Sequence, residues 1–198
     1  MSKIKVFVRV RPALPGEFDT PGCVNCTELE EVSGNWIQIV KDGEPKRYFS
    51  RVWGPKSGQE ELFRVVGVVT VNDLFEGYDG TIFVYGQTGT GKTYTLGCTV
   101  PGLEGVQPCC LKYIFEKRDK ESAKYEVQVK GYYIQLYRDS VQDLIDPTKD
   151  NLVVKVDETG ATIVDVTKRD LNSYQDALGL VAEGDNNRVV ANTKMNSA

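Results

Sequence analysis

Gly86-Gln87-Thr88-Gly89-Thr90-Gly91-Lys92-Thr93 places glycines, a lysine and a hydroxyl at the spacing G-x-x-x-x-G-K-S/T. Each residue type has a part in holding phosphate. Glycines at 86, 89 and 91 let the backbone approach phosphate oxygens and turn its N–H groups inward. The Lys92 ammonium reaches β and γ phosphates, and the Thr93 hydroxyl is a ligand for Mg²⁺. A glycine-rich turn can match this pattern by chance. The apolar run Thr81-Ile82-Phe83-Val84-Tyr85 just before it, and a helix pattern after it, argue instead for a phosphate loop binding ATP or ADP with Mg²⁺.

Holding a nucleotide is not hydrolysing it. Phosphoryl transfer also needs an acid near Mg²⁺ and a group that orients the attacking water. Ala161-Thr162-Ile163-Val164-Asp165 ends an apolar run in an acid. Beside the phosphate loop, Asp165 would be the magnesium acid; in a hairpin it is a surface residue. The hairpin pattern around it favours the second.

The elements that must position the loop follow from periodicity. Ile4 to Val10 reads as a strand stopped by Pro12. Trp36 to Val40 reads as another, followed by an Asp42-Gly43 turn and by extended Arg47 to Phe49. Ser57 and Glu60 have the spacing of a capping box, and a valine-rich helix runs from there to a stop at Gly77. Thr81 to Tyr85 has the continuous apolar character of a buried strand in a parallel sheet. Pro108 to Lys117 predicts a helix; Tyr125 to Val129 and Tyr132 to Tyr137 predict strands. Leu152 to Val156 and Thr162 to Val166 predict a hairpin around Glu158-Thr159-Gly160. Ser173 caps a final helix running toward Gly184. Helices interleaved with strands predict an α/β sheet fold.

Composition sets outer bounds. The 198 residues suit one domain, with 40% hydrophobic and 26% charged residues. A net charge of −4 argues against nucleic acid or an acidic membrane as partner. No apolar run reaches membrane-spanning length. The five cysteines, with no signal-peptide pattern ahead of them, read as reduced cytosolic thiols. Cys23 and Cys26 have C-x-x-C spacing, but a zinc site needs four ligands and the sequence holds no histidine, so they read as ordinary cysteines beside a turn.

Five stretches resemble the N-terminal part of a kinesin motor domain, and the likeness runs from end to end. They are Ile4 to Pro12 with its R-x-R-P ending, Gly77 to Leu96 around the phosphate loop, Gly105-Val106-Gln107-Pro108, Tyr133 to Tyr137 with Asp143-Leu144-Ile145-Asp146, and Asn187 to Asn196. The second and fourth carry a fainter likeness to armadillo-repeat and other ungrouped kinesins. The resemblance implies a P-loop NTPase of α/β class, with a central mixed sheet flanked by helices. Residues 1–198 would form a partial motor domain up to the start of switch I. It further implies ATP hydrolysis, microtubules as partner and a cytoplasmic, cytoskeletal location.

Roles carry over residue by residue. Arg9 and Pro12 match the positions that flank adenine; read alone, they are bland strand-end residues. Tyr94 sits where many kinesins have a histidine stacked on the base, and an aromatic ring serves there too. The hairpin from Leu152 to Val166 matches a microtubule-facing loop, where Lys155, Lys168 and Arg169 would meet acidic tubulin. Read alone, these three are equally solvated surface charges.

In the family, switch I would follow Lys194-Met195-Asn196-Ser197-Ala198, and switch II comes later. No catalytic residue is therefore expected in this chain. The remainder of the motor domain is expected in cis or as a second polypeptide. In the kinesin fold, strands of that remainder pair with both edges of Thr81 to Tyr85. Unpaired buried backbone groups cost about 1–3 kcal/mol each, against a net domain stability of about 5–15 kcal/mol. The chain is thus not expected to fold alone as a stable motor half. The alternative is a kinesin-like structural protein that binds nucleotide or tubulin without turnover.

Overall fold

The computed structural model describes residues 4–19, 27–29, 34–40, 45–137, 139–158 and 160–188. The first strand, β1 (Phe7–Arg9), is followed by β2 (Thr27–Leu29), β3 (Trp36–Ile39), β4 (Arg47–Tyr48) and β5 (Arg51–Trp53). β1 and β5 pair in parallel with Phe7 opposite Arg51. The ladder is shorter than the predicted Ile4 to Val10, because Ile4 projects into solvent at 93% exposure. Backbone bonds from Ser50 N to Val6 O and from Val10 N to Trp53 O, both 2.8 Å, carry the contact one residue past each end. The Phe7 and Trp53 rings stack at 5.5 Å. β2, β3 and β4 form a small antiparallel sheet, and the Asp42-Gly43 turn lies outside the described residues.

The valine-rich helix is built from α1 (Gln59–Leu62), a π-helical turn (Phe63–Gly67) and α2 (Val68–Phe75). The capping box predicted from Ser57 and Glu60 does not form. Gly58 is the N-cap, without a side-chain bond, and Glu60 pairs with Arg64 one turn further on. Gly67 lies flush against Phe63 and Cys110, where an added Cβ would come within 2.5 Å of the Phe63 ring. The stop at Gly77 is as expected: φ is +89°, and its N–H bonds Leu74 O at 3.1 Å.

Thr81 to Tyr85 corrects an expectation. The segment is extended but has no ladder partner among the described residues. Ile82 and Val84 are half-buried, whereas Phe83 and Tyr85 are 82% and 88% exposed. An apolar run is a strand of a parallel sheet only where neighbours cover both faces and both edges.

After the phosphate loop come α3 (Lys92–Gly97) and α4 (Val106–Glu121). α4 starts ahead of Pro108, which the first turn tolerates because its N–H has no helical partner there. β6 (Val129–Gly131), β7 (Ile134–Tyr137) and β8 (Ser140–Asp143) follow, then β9 (Val154–Asp157), β10 (Gly160–Ile163), β11 (Arg169–Leu171) and α5 (Tyr174–Asn187). The strand predicted from Tyr125 begins only at Val129, and the one predicted from Tyr132 only at Ile134. β9 and β10 form the predicted hairpin. Ser173 caps α5: the Asp176 N–H donates to Ser173 Oγ at 3.1 Å, and the Asp176 carboxylate accepts from Ser173 N at 3.0 Å.

Two apolar clusters hold these pieces. Trp53, Leu62 and Val106 pack with Phe7, Val66 and Ile82 beneath the phosphate loop. Phe115, Ile145, Leu171, Ala177 and Leu180 join α4, α5 and β11. Cys98, Cys109 and Cys110 are free thiols; Cys23 and Cys26 lie outside the described residues. No helix among the described residues is long and apolar enough to cross a membrane.

Candidate nucleotide site

The loop from Gly86 to Gly91 curls between the extended 81–85 segment and the first turn of α3. Gly89 and Gly91 have φ of +83° and +91°, a region costly for a residue with a side chain. A Cβ on Gly86 would lie 2.5 Å from Thr90 Oγ1, which itself donates to Gln87 O at 2.7 Å. The motif's first glycine is therefore required by close approach, and the other two by dihedral angle. Lys92 folds into the curl, its Nζ donating to Gly86 O and Gln87 O at 2.8 Å each. Thr93 follows it in sequence and is exposed on the first turn of α3. The residues present fit a magnesium-bound triphosphate: a glycine cradle, a cation inside it and an adjacent hydroxyl.

Beside the cradle, Arg9 and Tyr94 come together. The Arg9 guanidinium lies 5.1 Å from the Tyr94 ring centre, a cation–π contact. Arg9 Nη1 donates to Gln59 Oε1 at 2.7 Å and to Thr95 Oγ1 at 3.0 Å, and Nη2 donates to Ser57 O at 3.3 Å. Burial lowers the Arg9 pKa from its ordinary value, and Tyr94 opposes that shift. Pro12 is exposed at the end of β1, its carbonyl accepting from Arg11 Nη1 at 2.8 Å. A cavity of about 320 Å³ runs between β1 and residues 82–86, with Gly86, Thr90 and Lys92 on its wall. A second, of about 780 Å³, is lined by Arg9, Arg11, Phe18, Trp36 and Thr90.

The structure places Arg9 and Tyr94 against each other beside the loop. Sequence reasoning missed Gln59, Ser57, Thr95 and Glu17. Gln59 is fifty positions from Arg9 and carries no local signal, whereas the Glu17 clasp to Arg11 spans only six and was open to inspection. Asp165 is exposed at the foot of the hairpin with φ of +58°, and its carbonyl accepts from Lys149 Nζ at 3.1 Å. That matches the surface reading. Lys155 and Lys168 are exposed, but Arg169 is held by a two-pronged pair with Glu183 of α5, one contact being 2.7 Å. Of the Asn187 to Asn196 stretch, residues from 189 onward lie outside the described residues.

The family model for the kinesin motor domain matches residues 9–198. The chain belongs to the kinesin motor family. It is 34% identical over 196 residues to a kinesin heavy chain of Strongylocentrotus purpuratus, covering 98% of this chain and 18% of that protein. It is 34% identical over 209 residues to Kinesin-like protein 3 of Schizosaccharomyces pombe, covering all of this chain and 36% of that one. The solved structure of a fast kinesin superposes with a TM-score of 0.87 at 30% identity, over 98% of this chain and 55% of that one. The fold is therefore the P-loop NTPase fold of kinesin motors, and the chain spans well under two thirds of each of these relatives.

Proposed function

We propose that this chain is the ATP-holding part of a microtubule-based motor ATPase. The observation that carries the reading is the junction of two structures: a phosphate cradle closed around Lys92, and an Arg9–Tyr94 platform beside it. Gly86 to Gly91 would cradle the phosphates by their N–H groups, and Lys92 would exchange its two carbonyl partners for phosphate oxygens. Pro12, Arg9 and Tyr94 would bracket the adenine. Thr93 would hold Mg²⁺, which neutralises charge on the phosphates. Lys155 and Lys168 would face tubulin, whereas Arg169 would do so only by giving up Glu183.

Residues 1–198 are one part of the motor domain in this reading. The exposed Phe83 and Tyr85 and the slot between β1 and residues 82–86 support it, because they leave room for strands supplied in cis or by a second polypeptide. Hydrolysis would depend on switch elements carried there. The binding half of the proposal is tested by calorimetry with Mg·ATP on the parent protein and on Lys92→Ala. We expect saturable one-site binding that Lys92→Ala weakens at least about hundredfold, since a charge-assisted pair to phosphate is lost. Equal binding by the two proteins would defeat the reading.

A further inference from the structure

We propose that Gln59 is the positioning residue for nucleobase recognition, because it locks Arg9 and Tyr94 into a single platform; this rests on the nucleotide reading above. Gln59 opens α1 and is only 5% exposed. Its Oε1 accepts from Arg9 Nη1 at 2.7 Å. Its Nε2 donates to Tyr94 O at 2.6 Å and to Leu103 O at 3.2 Å. One amide thus ties β1, α3 and the loop before α4 together.

The choice of residue follows from the partners. Arg9 is a cation that only donates, so it needs an acceptor; the two carbonyls only accept, so they need donors. A neutral primary amide offers one acceptor and two N–H groups at the end of a short stem. A glutamate would meet Arg9 but face both carbonyls with negative charge. A lysine would satisfy the carbonyls and repel Arg9. An apolar side chain would fill the space and leave the half-buried guanidinium with fewer partners. A buried glutamine that merely satisfies itself would not need a cation on one side and the base-stacking residue's own backbone on the other.

The consequence is specific. Gln59 bonds the Tyr94 backbone and orients the cation that lies against the Tyr94 ring. The Lys92 contacts use other atoms, since its Nζ bonds Gly86 O and Gln87 O. None of the Gln59 bonds is to Lys92, Thr93 or residues 86–91, so its effect is expected on the base rather than on the triphosphate.

The test is equilibrium binding of two magnesium complexes, ATP and inorganic tripolyphosphate, to the full polypeptide as parent, Gln59→Glu and Gln59→Met. We expect both variants to bind ATP at least about tenfold more weakly and tripolyphosphate within about twofold of the parent. Unchanged ATP binding overturns the proposal. Equal loss for both ligands, or loss of fold by circular dichroism in both variants, also overturns it, because Gln59 would then be a general structural residue. A parent protein that binds ATP no better than tripolyphosphate has no base platform, and removes the reading on which the proposal rests.

Discussion

Arg11 shows how a single side chain shapes the approach to the site. Its guanidinium grips Glu17 through two bonds of 2.8 and 2.6 Å and also donates to Pro12 O. Glu17 in turn accepts from Leu14 N at 2.8 Å, so the loop after β1 closes into a hook that presents Pro12. The Arg11 bond, aided by the Leu14 N–H, lowers the Glu17 carboxyl to about 2. A depressed carboxylate pKa favours the folded hook above the ordinary value of about 4.3, and that contribution fades as pH falls from there through about 2. A carbon-detected titration of Glu17 should show a midpoint near 2 in the parent and near the ordinary value in Arg11→Ala. An ordinary midpoint in the parent would show that the clasp does not hold in solution. At this scale the phosphate loop was fully legible, because its geometry is local. The resemblance supplied Arg9 and Tyr94; the hub that joins them depends on contacts fifty and thirty-five positions apart.

A buried acid helps tie the hairpin of β9 and β10 to the body of the protein. Asp143 is 1% exposed; its Oδ1 accepts from Ile145 N at 2.8 Å and Asp146 N at 3.1 Å, and its Oδ2 from Thr167 N at 2.7 Å. Lys149 adds a bond to Thr167 Oγ1 at 3.0 Å, so the end of β8 holds the segment between β10 and β11. Burial pushes the Asp143 pKa up, but the three backbone N–H bonds prevail and the net shift is downward. The clasp is therefore intact above the ordinary aspartate range and weakens as pH falls below it. Asp143→Ala leaves three N–H groups without their acceptor, at about 1–3 kcal/mol for each one left buried. Hydrogen exchange at Ile145, Asp146 and Thr167 should accelerate accordingly in the full polypeptide, with little change in α3. Unaltered exchange at Thr167 would refute the tie. Elements set by local rules were read correctly, as with the Ser173 cap, the Gly77 stop and the hairpin. The capping box at Ser57 failed because Gly58 is the N-cap and Glu60 pairs with Arg64.

For the whole molecule, the decisive segment is Thr81 to Tyr85. Its sequence calls for a buried strand, yet Phe83 and Tyr85 stand in solvent and a slot of about 320 Å³ separates residues 82–86 from β1. Apolar content is written in a sequence, but pairing requires neighbours, and the ladder of this segment is not formed among the described residues. Of the two apolar clusters, the one built on Trp53, Leu62 and Val106 packs against it, through Ile82. In the proposed reading, the phosphate loop is joined to a sheet that other strands would finish. With those strands present, we propose that nucleotide turnover is coupled to microtubules. Steady-state ATPase, with and without microtubules, measured on this chain and on the polypeptide or pair that completes its sheet, is the decisive measurement. We expect negligible turnover by the 198 residues alone. With the sheet completed, we expect turnover that microtubules accelerate and Lys92→Ala abolishes. Turnover that survives Lys92→Ala, or is indifferent to microtubules, would contradict the proposal.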